Sequence, residues 1–243
     1  MDSISLEQMG RVKLMNRIDT KYVIPLRMLP AILEKAKEYY WVQEIDAKRV
    51  AIYDTLYYDT PSLDMYRMHH NQHLRRQKVR VRTYVDSQLT FLEIKNKNNK
   101  GRTKKKRIPV PPHTAPSAEL KPVAEFMQRY CQYDRDCLQP VLYTCFRRIT
   151  LVNKDMTERL TMDMDVAWKN VMTGETAQLG KVVIVEVKRD GRTTSPMMAV
   201  LHDLRLLPFK MSKYCMGIVY TDPNAKKNRF LPKKRIIQKI EKL

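Results

Sequence analysis

Cationic side chains recur at every second position along several short segments of this chain. Lys78, Arg80 and Arg82 alternate with Val79, Val81 and Thr83; Glu93, Lys95 and Lys97 alternate with Leu92 and Ile94; Lys105 and Arg107 occupy one phase of TKKKRIPV. Later, Arg159, Thr161, Asp163 and Asp165 share a phase of ERLTMDMD, and Glu186 and Lys188 share one in VVIVEVK, opposite Val183, Val185 and Val187. Residues i and i+2 of a strand stand on the same side of a sheet, so each segment predicts a strand with one apolar and one charged face. A plain solvent face mixes signs, because like charges opposite one another on adjacent strands are destabilising. Here cations outnumber the interspersed acids, and such a face suits an anion. If the sheet closes around a lumen, two like charges ~6 Å apart at an effective dielectric near 20 cost on the order of 3 kcal/mol. A lumen of them then requires water, counterions or a bound polyanion. Phosphate groups fit, since arginine's fork grips them in bidentate fashion and lysine supplies mobile charge.

The elements that carry these residues follow from pattern and turn chemistry. Strands are predicted over 16–24, 50–59, 77–85, 89–97, 103–110, 141–152, 158–168, 181–188 and 214–221. Reversals fall at 86–88 and 98–101, where Asp, Asn and Gly tolerate the backbone angles of tight turns. Helices are predicted over 26–40, 119–130 and 196–207, and in a basic tail over 226–243 with Phe230, Ile236, Ile237 and Ile240 at helical spacing. Strands joined mostly by short turns, with helices between blocks and at the ends, indicate an α+β protein built on a large antiparallel sheet or barrel in one domain.

Composition agrees with an anionic partner without choosing it. Lys and Arg total 46 against 26 acids in 243 residues, a net charge of +20. That field would attract nucleic acid, an anionic membrane surface or a phosphate-rich small molecule. With 6 glycines and 43% hydrophobic residues, the chain lies outside the collagenous and low-complexity classes. No apolar run reaches the roughly 18 residues of a membrane-spanning helix. The opening MDSISLEQMG lacks a basic region followed by an apolar stretch, so a cytoplasmic location is expected. Cys131, Cys137, Cys145 and Cys215 form no CxxC pair and are expected as reduced, mostly buried thiols. His69, His70 and His73 suit a loop or frayed helix better than a metal site, and Tyr53, Tyr57 and Tyr58 suit sheet packing.

Taken in order, RIDTKY (17–22), YYDT (57–60), KVRVRTY (78–84), FLEIKNK (91–97), KKR (105–107), FRR (146–148), ERLTMD (158–163), VEVK (185–188) and FKMSKY (209–214) resemble the polyphosphate polymerase domain of the VTC (vacuolar transporter chaperone) family. That family lies within the triphosphate tunnel metalloenzymes, and the resemblance covers nearly the whole chain. It implies a single domain over 1–243, with an antiparallel eight-stranded β-barrel over 16–221, flanking helices and a basic C-terminal helix over 226–243. It implies ATP, triphosphate and polyphosphate as ligands, does not point to nucleic acid, and leaves a membrane-protein partner open. Carried over by position, the phosphate-binding residues are Lys21, Arg80, Arg82, Lys95, Lys105, Arg148, Arg159, Lys188, Lys210 and Lys213, with Arg67 as an addition. Arg107 joins them from its strand face. Arg80, Arg82, Lys95, Arg159 and Glu186 are the catalytic set, Glu186 holding Mn²⁺ or Mg²⁺. The run KKKR leaves the register of Lys105 open by one, and Arg147 competes with Arg148.

The hydrolytic branch of the superfamily carries an ExExK pattern on its first strand. Here the matching residues are Arg17, Asp19 and Lys21, and loss of one acid tilts the expectation from hydrolysis toward transfer onto phosphate. Asp19, Glu93, Asp163 and Asp165 remain available to bind a second metal or orient water. Two rivals are carried forward: a metal-dependent inorganic or nucleoside triphosphatase, and a non-catalytic module binding polyanions or nucleic acid.

Overall fold

Alternating β-branched and charged residues build long antiparallel ladders. The computed structural model describes residues 1–10, 12, 17–191 and 193–243. Its strands are β1 (Ser3–Ile4), β2 (Arg17–Pro25), β3 (Tyr40–Gln43), β4 (Ala51–Asp59), β5 (Arg76–Tyr84), β6 (Leu89–Lys97), β7 (Thr103–Pro109), β8 (Gln139–Asn153), β9 (Glu158–Asn170), β10 (Thr176–Leu179) and β11 (Val182–Asp190). The helices are α1 (Leu6–Met9), α2 (Leu29–Ala36), α3 (Asp64–His70), α4 (Lys121–Tyr130), α5 (Pro196–Asp203), α6 (Lys213–Thr221) and α7 (Leu231–Glu241). Position 16, the expected start of the first strand, lies outside the described residues.

Eight strands form one antiparallel path, β2-β11-β9-β8-β4-β5-β6-β7, with β1, β3 and β10 at its margins. One connection shows that the path curls. Phe209 N donates to Lys21 O on β2 at 2.6 Å, and Lys78 on β5 donates through Nζ to Ser212 Oγ at 2.7 Å. These are the first and sixth strands of the path, which a flat sheet would hold about 24 Å apart. The expected eight-stranded antiparallel barrel is thus present as a half-barrel whose end strands, β2 and β7, are not paired with each other among the described residues.

Apolar phases face outward onto helices. Tyr22, Ile24, Val183, Val185, Val187, Leu160 and Met162 form one core with Ile32 of α2 and Met197 and Leu201 of α5. Val79, Val81, Leu92 and Ile94 form another with Val123, Phe126 and Met127 of α4. Each fully buried aliphatic side chain stabilises by roughly 1.5–3 kcal/mol, enough to commit the charged phase to the concave side. A third core fills one end of that concave side, where α6 and α7 meet Tyr57, Phe146, Trp168 and Ile184.

Three expectations are corrected. Residues 214–221, expected as a strand, form α6, capped by Ser212 Oγ accepting from Cys215 N at 3.2 Å. Its Tyr, Ile, Val and Thr favour strands, but the run is buried on nearly all sides, so periodicity could not separate strand from helix. The expected helix over 26–40 contracts to a 3₁₀ turn and α2, and Tyr40–Gln43 leaves as a strand paired with β8. All four cysteines are free, but Cys137 and Cys145 are exposed, so the thiols are not mostly buried.

Candidate functional site

Strand register brings the predicted cationic rows onto the concave face. Lys78 stands opposite Lys95 and Lys95 opposite Lys105, while Glu93 lies between Arg80 and Arg107. Across the sheet, Arg148 stands opposite Asp163, Lys188 between Arg159 and Asp19, and Glu186 between Thr161 and Lys21. The first turn of α6 adds Lys213.

Three carboxylates tie these cations together. Glu93 accepts from Arg80 Nε at 2.7 Å and Nη2 at 2.5 Å, and from Lys105 Nζ at 2.7 Å. Asp163 accepts from Arg148 Nε at 2.5 Å and Nη2 at 2.8 Å, and from Lys213. Glu186 is shared by Lys21 and Lys188. Burial pushes the Glu93 and Asp163 carboxyls up, but the guanidinium and ammonium groups around each outweigh it and hold both well below the usual carboxylate range. Removing one member of such a buried pair costs about 3–5 kcal/mol, so these residues organise the face as well as line it.

The remaining cations have no such partner. Arg82 is buried, donates to Thr55 Oγ1 at 3.1 Å and lies 5.4 Å from the Tyr53 ring centroid and 5.6 Å from that of Phe146. Among the described residues, no carboxylate forms an ion pair with Arg82, Lys95 or Arg159. Burial and then the Arg80 charge bring the Arg82 guanidinium down to about 10. The Arg80 charge and then burial hold Lys95 well below an ordinary lysine. Burial and then the Arg17 charge lower Arg159. Lys21 falls to about 7 through burial and the Lys188 ammonium, despite its contact with Glu186. Every one of these shifts is relieved by an anion among the cations.

Other assigned residues lie elsewhere. Lys210 is exposed, its carbonyl accepting from Lys233 Nζ at 2.8 Å, and Arg67 is exposed on α3; neither joins the rows. Arg107 shares the concave phase but is exposed, 4.3 Å from the Phe91 ring centroid. The alternatives left open at Lys105 and Arg148 differ in direction. Lys105 faces inward while Lys106 lies on the opposite side over the Tyr130 ring; Arg148 faces inward while Arg147 is exposed and pairs with Asp165. Asp165 therefore leaves the row that its spacing predicts. The β8/β9 register shifts between Cys145 and Arg147, and Asp165 itself has φ 52°, so alternation is broken there. Asp19 pairs with Arg17.

Lys78, placed by its phase on the same face as Arg80 and Arg82, was not among the expected phosphate-binding residues, yet it stands in the concave row opposite Lys95. Tyr57, whose hydroxyl accepts from Arg80 Nη1 at 3.2 Å, and Phe146, whose ring centroid is 5.1 Å from the Arg148 guanidinium, were not among them either. Aromatic residues in a cationic phase were the available signal. His69 is engaged with Cys215 Sγ at 3.0 Å and His70 with Asn71 at 3.0 Å. Among the described residues, no group of three or more His, Cys, Asp or Glu is placed to hold a metal by itself.

A divalent ion nevertheless has suitable donors beside Glu186. Thr161 Oγ1, on the residue directly opposite in register, is buried without a hydrogen-bond partner among the described residues. Hard cations take oxygen ligands, and Mg²⁺ commonly uses one or two carboxylates plus waters and substrate phosphates. The donor set fits such an ion when phosphate completes its shell.

No curated protein matches the chain in sequence. Its fold is similar to that of a Vibrio parahaemolyticus protein assigned as an adenylate cyclase, with TM-score 0.50 and 12% identity over 84% of this chain and 99% of that one. It is also similar to a Hippeastrum protein assigned as an adenylyl cyclase and reported to have a dominant triphosphatase activity, with TM-score 0.53 and 14% identity over 84% of this chain and 95% of that one. No described helix is long and apolar enough to cross a membrane. The model of the VTC domain matches residues 16–221, the stretch that carries every concave row, and the chain belongs to the VTC domain family.

Proposed function

We propose that this protein is a cytoplasmic, metal-dependent polyphosphate polymerase that moves the γ-phosphoryl group of ATP onto inorganic polyphosphate. The observation that carries this reading is the set of cations without carboxylate partners among the described residues, Arg82, Lys95 and Arg159, on a concave face already crowded by Arg80 and Arg148. Phosphoryl transfer needs positioning and charge neutralisation more than covalent help from the protein. Arg80, Arg82, Lys95 and Arg159 grip the donor phosphates, while Lys21, Lys188 and Lys213 exchange their carboxylates for phosphate oxygens. Glu186, with the Thr161 hydroxyl opposite, would hold Mn²⁺ or Mg²⁺, which supplies positive charge to the phosphates. The terminal oxygen of the growing chain attacks the γ-phosphorus, the bond from that phosphorus to the β–γ bridging oxygen breaks, and ADP leaves. The attacking oxygen is already anionic, so no general base is required.

Arg17 supports transfer over hydrolysis. It occupies Asp19 in an ion pair at 2.7 Å, where the hydrolytic pattern has an acid in place of the arginine. Purified protein incubated with ATP and Mn²⁺ decides between the outcomes. Long phosphate chains support the polymerase, whereas orthophosphate without chains identifies a triphosphatase. Salt-sensitive oligonucleotide binding, with no turnover and no effect of Glu186→Gln, identifies a binding module.

A further inference from the structure

The two ends of the concave face differ in chemistry. At one end the rows finish at Arg76, Lys78 and Lys97, with the exposed Lys210 and the half-buried Lys233 beyond them, and the nearby rings of Tyr66 and Phe230 are buried. At the other, Tyr84 and Phe91 are half-exposed at the ends of β5 and β6, and Leu89, opposite Tyr84, is 51% exposed. The Tyr84 centroid is 5.0 Å from Tyr53 and 5.8 Å from Phe91, and the exposed Arg107 guanidinium covers Phe91 at 4.3 Å.

This aromatic end continues the phosphate rows. Arg80, Arg82 and Tyr84 follow one another along a single phase of β5, so Tyr84 stands one two-residue step, about 7 Å, beyond Arg82. A group attached to phosphates held by Arg80 and Arg82 reaches that ring. Half-exposed rings beside a guanidinium plane are the surfaces on which nucleobases stack, and such stacking tolerates any base. Folding alone does not require Leu89 to stay exposed, nor Tyr84 and Phe91 to stay partly open, at the rim of a cationic face.

We infer that the nucleoside of the phosphate donor is held at this mouth, its base stacked on the face of Tyr84 and meeting Phe91, whose ring stands at 84° to that of Tyr84, edge-on, with Arg107 alongside. This rests on the proposed binding of nucleotide phosphates in the concave face. It assigns Arg107 to the nucleoside, apart from the lysines at the opposite end. The nucleotide therefore enters with its base outermost and its γ-phosphate toward the lysine end.

Calorimetric titration of the full chain with ATP and with inorganic triphosphate tests the assignment. Tyr84→Leu is expected to weaken ATP about tenfold, the range of one stacked ring, and Phe91→Leu about threefold, the range of an edge contact, both leaving triphosphate within about twofold. Tyr84→Phe is expected to retain ATP binding, since the ring carries the effect. Unchanged ATP affinity in the leucine variants, or equal losses for both ligands, overturns the nucleoside assignment while leaving phosphate binding standing. A wild-type chain that binds neither ligand removes the phosphate reading, and this inference with it.

Discussion

Lys95 is the residue at which the proposed binding of phosphate on the concave face is most directly tested. It has no carboxylate partner among the described residues, faces Lys78 and Lys105 in register, and is held well below the ordinary lysine range by the Arg80 charge and by burial. A side chain placed for stability would have been paired or replaced. Lys95→Ala should therefore raise the melting temperature of the empty protein, because it removes repulsion without orphaning an acid. The same change should weaken triphosphate binding by roughly tenfold or more, the worth of a lost charge-assisted hydrogen bond. Thermal melts and calorimetry on one preparation check both halves, and a variant that loses stability as well would make Lys95 a structural residue.

The depressed lysines also set the sign of a pH dependence. Lys21 is lowered to about 7 by burial and by Lys188, and Lys95 and Lys188 are lowered too. Between the folded value and the ordinary 10.5, the unfolded chain binds more protons than the folded one, so these groups make the empty protein more stable as pH rises through that window. Bound phosphate restores the charged form and so takes up protons, which makes affinity fall over the same range. From about pH 7 to about pH 9, triphosphate affinity should decline while the stability of the empty fold does not. Titrations in two buffers of different ionisation enthalpy should report net proton uptake, and proton release would contradict the assignment.

At the scale of elements, α6 brings the concave site and its supporting core together. Lys213 in its first turn reaches Asp163, Ser212 at its cap accepts from Lys78, and Tyr214 donates to the buried Asp59 at 2.5 Å. Asp59 in turn accepts from the Met65 and Tyr66 amides of α3 at 2.9 Å each, so one carboxylate pins two helices. Gly217 permits the approach of α6 to the sheet, since a Cβ there would stand 2.4 Å from Leu142 Cδ2 and 2.6 Å from Trp168 Cδ1. Gly217→Ala would gain about 1 kcal/mol of helix propensity, but overpacking against these side chains costs typically 1–3 kcal/mol. A net loss of stability is expected in urea unfolding, together with weaker triphosphate binding as Lys213 shifts.

This helix also marks where the sequence stopped being legible. The rows in β5, β6 and β11 could be read because alternation is a local property, and one apolar face per strand leaves no second solution. A run such as YCMGIVYT, enclosed on nearly every side, has no polar phase to report its period. Asp165 escaped for a related reason, because a register shift against β8 depends on the partner strand and leaves no mark in its own segment. Arg67 and Lys210 were carried over from resemblance alone, with no strand phase to check their direction.

For the whole molecule, a net charge of +20 and a concave face with more cations than carboxylates act against the compact state, and the half-barrel holds them together chiefly through its outward-facing cores. A ligand that neutralises the face should therefore act as a folding ligand. At about 100 times its dissociation constant, a bound anion adds about 2.7 kcal/mol. For a chain of this size each kcal/mol shifts the melting temperature by roughly 2–4 °C, so a rise of roughly 5–11 °C is expected with triphosphate. Orthophosphate at the same concentration should give a much smaller shift, because it bridges fewer of Arg80, Arg82, Lys95 and Arg159. Surface screening is separable by matching ionic strength with sodium chloride, since exposed charges are screened within about 10 Å at 0.1 M salt while buried ones are screened much less. A triphosphate shift no larger than the chloride control would mean that the cations are relieved by bulk ions, and the concave face would then need another explanation.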